Sequence, residues 1–196
     1  MKMPLASLAA AVAALAKKLT RKQAILLSAA FLSVAALFHS VLKDLMAAAL
    51  LFLAGAFSTY YKRKLEGFGA IGFELVTSTT LLAGLAFGPL AGALFGFATS
   101  LMSVIISRDV GPPTALFIIA SAVVGAAALP LSSAFGIVVL GMIALAFSTA
   151  LVQAFTFFVQ TDAELKAAAA VGIVTNFAVN YIFLSFLAKH ILAITS

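Results

Sequence analysis

FELVTSTTLLAGLAFGPLAGALFGFATSLMSVII, residues 73–106, holds one acidic residue at its start, one Gly-Pro break in its middle and no basic residue. Proline fits the first turn of a helix and breaks a helix that precedes it. The stretch therefore reads as part of a helical hairpin, with apolar runs at 68–87 and 90–106 joined by Gly88-Pro89. Each run has about the 20 residues that a membrane-crossing helix needs. In the second run Gly88, Gly92 and Gly96 recur every fourth residue, and Ser100, Ser103 and Ser107 continue the row. Small residues on one helix face let a neighbouring helix come close in a membrane. Gly88, Gly92, Gly96 and Ser100 are accordingly read as helix-packing positions.

The rest of the chain has the same character. Of its 196 residues, 64% are apolar and 9% charged, with a mean hydropathy of +1.22. A soluble domain runs near 45–50% apolar and about 25% charged. The expected fold class is all-α: a polytopic integral membrane helical bundle of six or seven transmembrane helices, embedded in the lipid bilayer. Residues 1–22 read as an amphipathic, basic N-terminal segment lying in the interface, and 23–196 as a single transmembrane domain. Apolar segments at 24–42, 45–61, 68–87, 90–106, 114–129, 135–159 and 167–188 give seven crossings. Six is the competing count, with the segment carrying Glu74 re-entrant or on the surface. At roughly 20 residues per span these 196 residues leave no room for an ATPase domain.

The net charge of +6 does not point to nucleic acid, because the basic residues flank the apolar runs. If all seven segments cross, ten of the twelve Lys and Arg fall on one side, Lys62, Arg108 and Lys166 among them; Lys43 and Lys189 fall on the other. The N-terminus is therefore expected in the cytoplasm, and the protein in the plasma membrane.

Polar side chains within apolar runs carry the remaining information, since a charge at the bilayer centre costs about 3 kcal/mol even on permissive scales. Glu74 is the one acidic residue inside such a run, and Thr77 and Ser78, three and four residues on, share its helix face. Two readings stand: a cavity-facing carboxylate, or a side chain snorkelling to the interface. Asn176 and Asn180 form a second stripe, with Thr175 and Tyr181 beside them, and Thr149, Gln153, Thr156 and Gln160 a third. These stripes either bind a ligand or bond helix to helix. The candidate binding residues are Glu74, Thr77, Ser78, Asn176 and Asn180. Cysteine is absent, and His39 and His190 have no partners at metal-ligand spacing, so no metal or cofactor is expected. Gly67, Gly69 and Gly72 match G-x-G-x-x-G without the strand that would give the pattern meaning. No paired acid and base suggests an enzyme.

The run 73–106, with Glu74, Gly84, Gly88, Pro89, Gly92 and Gly96, resembles a motif region of the substrate-binding subunits of energy-coupling-factor (ECF) vitamin transporters. Residues 114–129 with Gly125, and 176–186, look compatible with later helices of that family. The resemblance implies about six helices, a small vitamin-like ligand taken from outside, and association with a membrane coupling subunit and two ATPases. It also implies that Gly88-Pro89 lies on the cytoplasmic side, opposite to the charge count. Small hydroxyls at Ser100 and Ser103 stand where that family usually has an acidic residue. A second resemblance is to MreD rod-shape proteins, which implies a non-transporting membrane scaffold. The charge count predicts that a reporter that works only in the cytoplasm is active when fused after Lys64 and silent when fused after Pro89; activity after Pro89 favours the ECF orientation.

Overall fold

The computed structural model describes Ser33 and residues 41–64, 72–108, 110, 111, 113–159 and 163–195. The chain divides into two compact units, Met1–Lys43 and Asp44–Ser196. Of the first, Ser33 and 41–43 are described, and they are helical. The expected interfacial segment and its boundary at residue 22, the small-residue surface at Ala29, Ala30, Ala35 and Ala36, and His39 lie outside the described residues. So does most of the expected first span.

Within the second unit every described element is helical: α1 (residues 44–57), α2 (Tyr61–Lys64), α3 (Val76–Phe87), α4 (Pro89–Ser107), α5 (Thr114–Leu131), α6 (Ile137–Val159) and α7 (Ala163–Thr195). Four of these, α4 to α7, are long and apolar enough to cross a membrane. The 19 residues of α4 rise about 28 Å, close to the thickness of the hydrocarbon layer. Pro89 is in the first turn of α4, as its lack of an N–H favours. Pro130 ends α5 from within its last turn.

The third expected span is corrected. The run 68–87 is not one continuous helix: residues 72–75 are non-helical, and α3 has only 12 residues, a rise of about 18 Å. It is too short to span the hydrocarbon layer by itself. All residues from Val76 to Gly84 are buried, and α3 touches each of α4, α5, α6 and α7. A helix buried on every side has no outward face to mark it, so its periodicity is silent.

The bundle is inverted relative to a soluble protein. On α4, Leu90, Leu94, Phe97, Leu101 and Ile105 point outward, Leu90 with 76% of its surface exposed, whereas Gly92, Gly96, Thr99, Ser100, Ser103 and Ser107 point inward. Exposed apolar side chains on this scale suit lipid, and small inward residues suit close helix packing. A Cβ added at Gly92 would overlap the Gly125 carbonyl and come within 2.5 Å of the Gly84 Cα; one at Gly96 would overlap the Ser121 carbonyl and come within 2.6 Å of Thr80. Three helices thus meet backbone to backbone at Gly84, Gly92 and Gly125. Ser100 is fully buried, its hydroxyl donating to the Gly96 carbonyl at 2.6 Å.

Gly88 departs from this row. It faces open space and makes the turn between α3 and α4, with φ of 90°, its N–H bonded to the Gly84 carbonyl at 3.1 Å and its carbonyl accepting from Gly92 N–H at 2.8 Å. Glycine is required there for its backbone conformation and not for packing. Gly92→Ala is expected to cost about 1–3 kcal/mol, because the groups it meets are backbone and cannot rotate away. Gly136→Ala, with nothing within 4 Å, is expected to be within about 0.5 kcal/mol of the parent. Reversible unfolding of the detergent-solubilised protein measures both.

Candidate ligand cavity

Four consecutive backbone amides, residues 72–75, lack helical partners, and each donates to a side chain. Gly72 N–H donates to Thr175 Oγ1 at 2.8 Å, Phe73 N–H to Tyr61 Oη at 3.0 Å, Glu74 N–H to Asn176 Oδ1 at 3.2 Å and Leu75 N–H to Ser58 Oγ at 3.0 Å. Ser58 in turn donates to the Gly55 carbonyl at 2.7 Å. Tyr61 also packs its ring edge-on to Phe73, with centroids 6.2 Å apart. Backbone outside a helix needs partners for its amides, and here side chains from α2, α7 and the turn after α1 supply them.

Asn180 completes the tie. It is fully buried; its Nδ2 donates to the Glu74 carbonyl at 2.7 Å and to the Asn176 carbonyl at 2.9 Å, and its Oδ1 accepts from Ser78 Oγ. A Cβ at Gly72 would overlap the Gly172 carbonyl, so loop and α7 touch through their backbones. Glu74 uses one carboxylate oxygen, Oε1, to accept the Thr77 N–H at 3.1 Å in the first turn of α3. A carboxylate at a helix N-terminus meets both a free amide and a favourable dipole.

Beside this knot lies a cavity of about 230 Å³, reached by Lys62 of α2, Glu74 of the loop, Ser103 and Ser107 of α4, Thr114 and Phe117 of α5, Ser148, Thr149 and Gln153 of α6, and Gly172 and Asn176 of α7. The space would hold roughly eight waters at about 30 Å³ each. It sits at the end of the bundle where α4 finishes and α5 and α7 begin, the end that carries Lys62, Arg108 and Lys166. Gly88-Pro89 is at the other end. Lys62 is near enough to act electrostatically on the Glu74 carboxylate.

Of the five residues expected to bind, Glu74 and Asn176 are on the cavity wall, whereas Thr77, Ser78 and Asn180 are buried behind it. Asn180 and Ser78 bond each other, and the Thr77 hydroxyl has no partner. Among the described residues no group of three His, Asp or Glu is arranged to hold a metal ion.

Lys62, Ser148, Thr149 and Gln153 escaped the sequence reading as site residues. Thr149 and Gln153 form a visible stripe, but spacing does not say what a stripe faces; Lys62 reads as part of a basic membrane flank. Two atoms on the α6 wall, Ser148 Oγ and Gln153 Oε1, are buried without a hydrogen-bond partner. Family models, curated proteins and solved structures were compared with the chain, and none matches.

Asn180→Ala strips partners from the Glu74 carbonyl and the Ser78 hydroxyl and is expected to destabilise the protein by about 1–3 kcal/mol. Ser78→Ala should cost less, roughly 0.6–2 kcal/mol. A double-mutant cycle should show coupling between them, since they share one bond.

Proposed function

We propose that this protein is a multi-pass membrane subunit that binds a small polar molecule in the cavity between α2, α4, α5, α6 and α7, and that it works in transport with a separate ATPase module. One observation carries the reading: a cavity large enough for a metabolite contains a carboxylate, an ammonium group and two buried polar atoms that no protein group satisfies. Buried polar groups left unpaired cost about 1–3 kcal/mol each, so a site that retains them is suited to a ligand that pairs them. Glu74 and Asn176 contact the ligand, Thr77, Ser78 and Asn180 hold the wall in shape, and the chemistry is binding with no catalysis.

The bundle has six or seven crossings with the N-terminus in the cytoplasm, in the plasma membrane. The basic end, and the cavity with it, then faces the cytoplasm. The ECF resemblance asks for the opposite, with the cavity facing outward to capture a vitamin-like substrate before a coupling subunit and two ATPases act on it. The orientation of Gly88-Pro89 separates the two.

A scaffold of the MreD type is the second reading, favoured by one specific observation: Thr175, Asn180 and Ser78 are spent on internal bonds. Glu74→Gln is expected to leave assembly intact and abolish ligand binding, read by ligand-induced thermal stabilisation of the purified protein. Unchanged binding removes Glu74 from the site. Copurification with an ATPase pair supports the transport subunit, and copurification with cell-wall or cytoskeletal proteins supports the scaffold.

A further inference from the structure

The unpaired atoms of the cavity wall narrow the ligand, and this step rests on reading the cavity as a ligand site. Most polar groups on the described wall already have a partner within the protein. Thr59 and Ser103 bond each other, Ser107 donates to the Val104 carbonyl, Thr114 Oγ1 accepts the Gly111 N–H, and Asn176 Oδ1 accepts from the Glu74 N–H and Asn180 Nδ2. The sides built by α4, α5 and α7 are thus polar in composition but largely committed to internal bonds. The α6 side differs: Ser148 Oγ and Gln153 Oε1 line the same space, and both are buried with no hydrogen-bond partner.

Ser148 is unusual for a hydroxyl in a helix. Serine and threonine in an apolar helix can turn back to a carbonyl three or four residues earlier, as Thr79, Ser100, Ser107, Ser121 and Thr175 do here. Ser148 is 4% exposed and makes no such bond. Thr77, Thr80 and Thr99 share that lack but do not line the cavity. Among the described residues, unpaired buried groups and open space coincide on α6.

Gln153 ends in a planar carboxamide, an acceptor oxygen beside N–H donors. Turning the amide by 180° exchanges its two ends. A ligand edge with one N–H next to one acceptor pairs with either setting through two parallel bonds, whereas an edge that only accepts leaves Oε1 unpaired. Val104, Phe117, Val152 and Ile173 are on the same wall, so a molecule with hydroxyls on every side would lose water there without gaining partners. A ring with its polar atoms confined to the rim avoids that loss. Ser148 is five residues before Gln153, about 7.5 Å along the α6 axis, a separation that one small ring can cover.

We propose that the cavity takes a small one-ring molecule with an amide-type edge, an N–H beside a C=O, which pairs with the Gln153 carboxamide while Ser148 Oγ bonds a polar atom farther round the rim. The ligand N–H is the selected feature, and Gln153 is the residue that reads it.

The experiment uses the full chain purified in nanodiscs and reads thermal stabilisation and calorimetric affinity. The probes are uracil, nicotinamide, 2-pyrrolidinone and ethyleneurea, the N-methylated counterpart of each that keeps the C=O and has no amide N–H, and the polyols glucose and myo-inositol. At least one N–H amide is expected to bind, with its N-methylated counterpart about tenfold weaker or worse, the loss of one buried hydrogen bond. Gln153→Leu should weaken the amide by about tenfold and bring it level with its N-methylated form. Should Gln153→Leu fail to fold, the comparison of each amide with its N-methylated form on the unaltered chain decides the question alone. An N-methylated form that binds as tightly as its parent overturns the proposal, as does a folded Gln153→Leu protein with undiminished affinity, or polyols binding in preference to amides. If Glu74→Gln abolishes that polyol binding, the cavity still stands as a ligand site. Binding by no probe overturns both.

Discussion

A backbone amide that leaves water without gaining a partner costs about 1–3 kcal/mol, so a buried chain segment outside a helix must find its partners elsewhere. Residues 72–75 present four amides in a row without helical partners, and the start of α3 follows from how they are met. Thr175 and Asn176 reach them from α7, Tyr61 from α2 and Ser58 from the turn after α1. Asn180 takes the Glu74 carbonyl and Ser78 together. These bonds fix where α3 begins, and they also hold Glu74 and Asn176 on the cavity wall. A polar stripe that would suffice to bind two helices is here joining a loop, two helices and a cavity edge.

The bundle closes at one end and opens at the other for reasons of side-chain size. Near Gly88 the helices α3, α4 and α5 approach through Gly84, Gly92 and Gly125, with no side chain between their backbones. Toward the basic end the same helix α4 presents Ser103 and Ser107, and α5 presents Phe117, with the cavity between them and α6 and α7. The Thr59 hydroxyl pairs with Ser103 Oγ at 2.7 Å and ties the turn after α1 to this side of α4. Packing and site are therefore two ends of one graded surface.

From residue 89 onward the helices are legible in the sequence, because length, hydropathy and the break at Pro89 act locally. The start of α3 is not. Residues 72–75 are apolar enough to read as helix, and what holds them out of one is a set of partners that includes side chains more than a hundred positions away. Glu74 is conspicuous as an acid in an apolar run, yet nothing local says that it caps α3 while facing a cavity. Asn176 and Asn180 share a helix face, and only the fold assigns one to the cavity wall and the other to the loop carbonyl. Gln153 shows the same limit: its stripe is visible, but what the stripe faces depends on four other helices.

The reach of the α7 contacts has a consequence for biosynthesis. Thr175 and Asn176 are made about a hundred residues after the amides they satisfy. A chain emerging from the ribosome N-terminus first cannot complete the 72–75 segment until about the first half of α7 has been made. Until then the short helix α3 lacks its permanent surroundings, so final assembly is post-insertional and the last helix acts as the closing element. A chain interrupted before Asn176 would have the earlier helices but neither Asn176 nor Asn180, and the Glu74 amide and carbonyl would lack the partners that hold the start of α3.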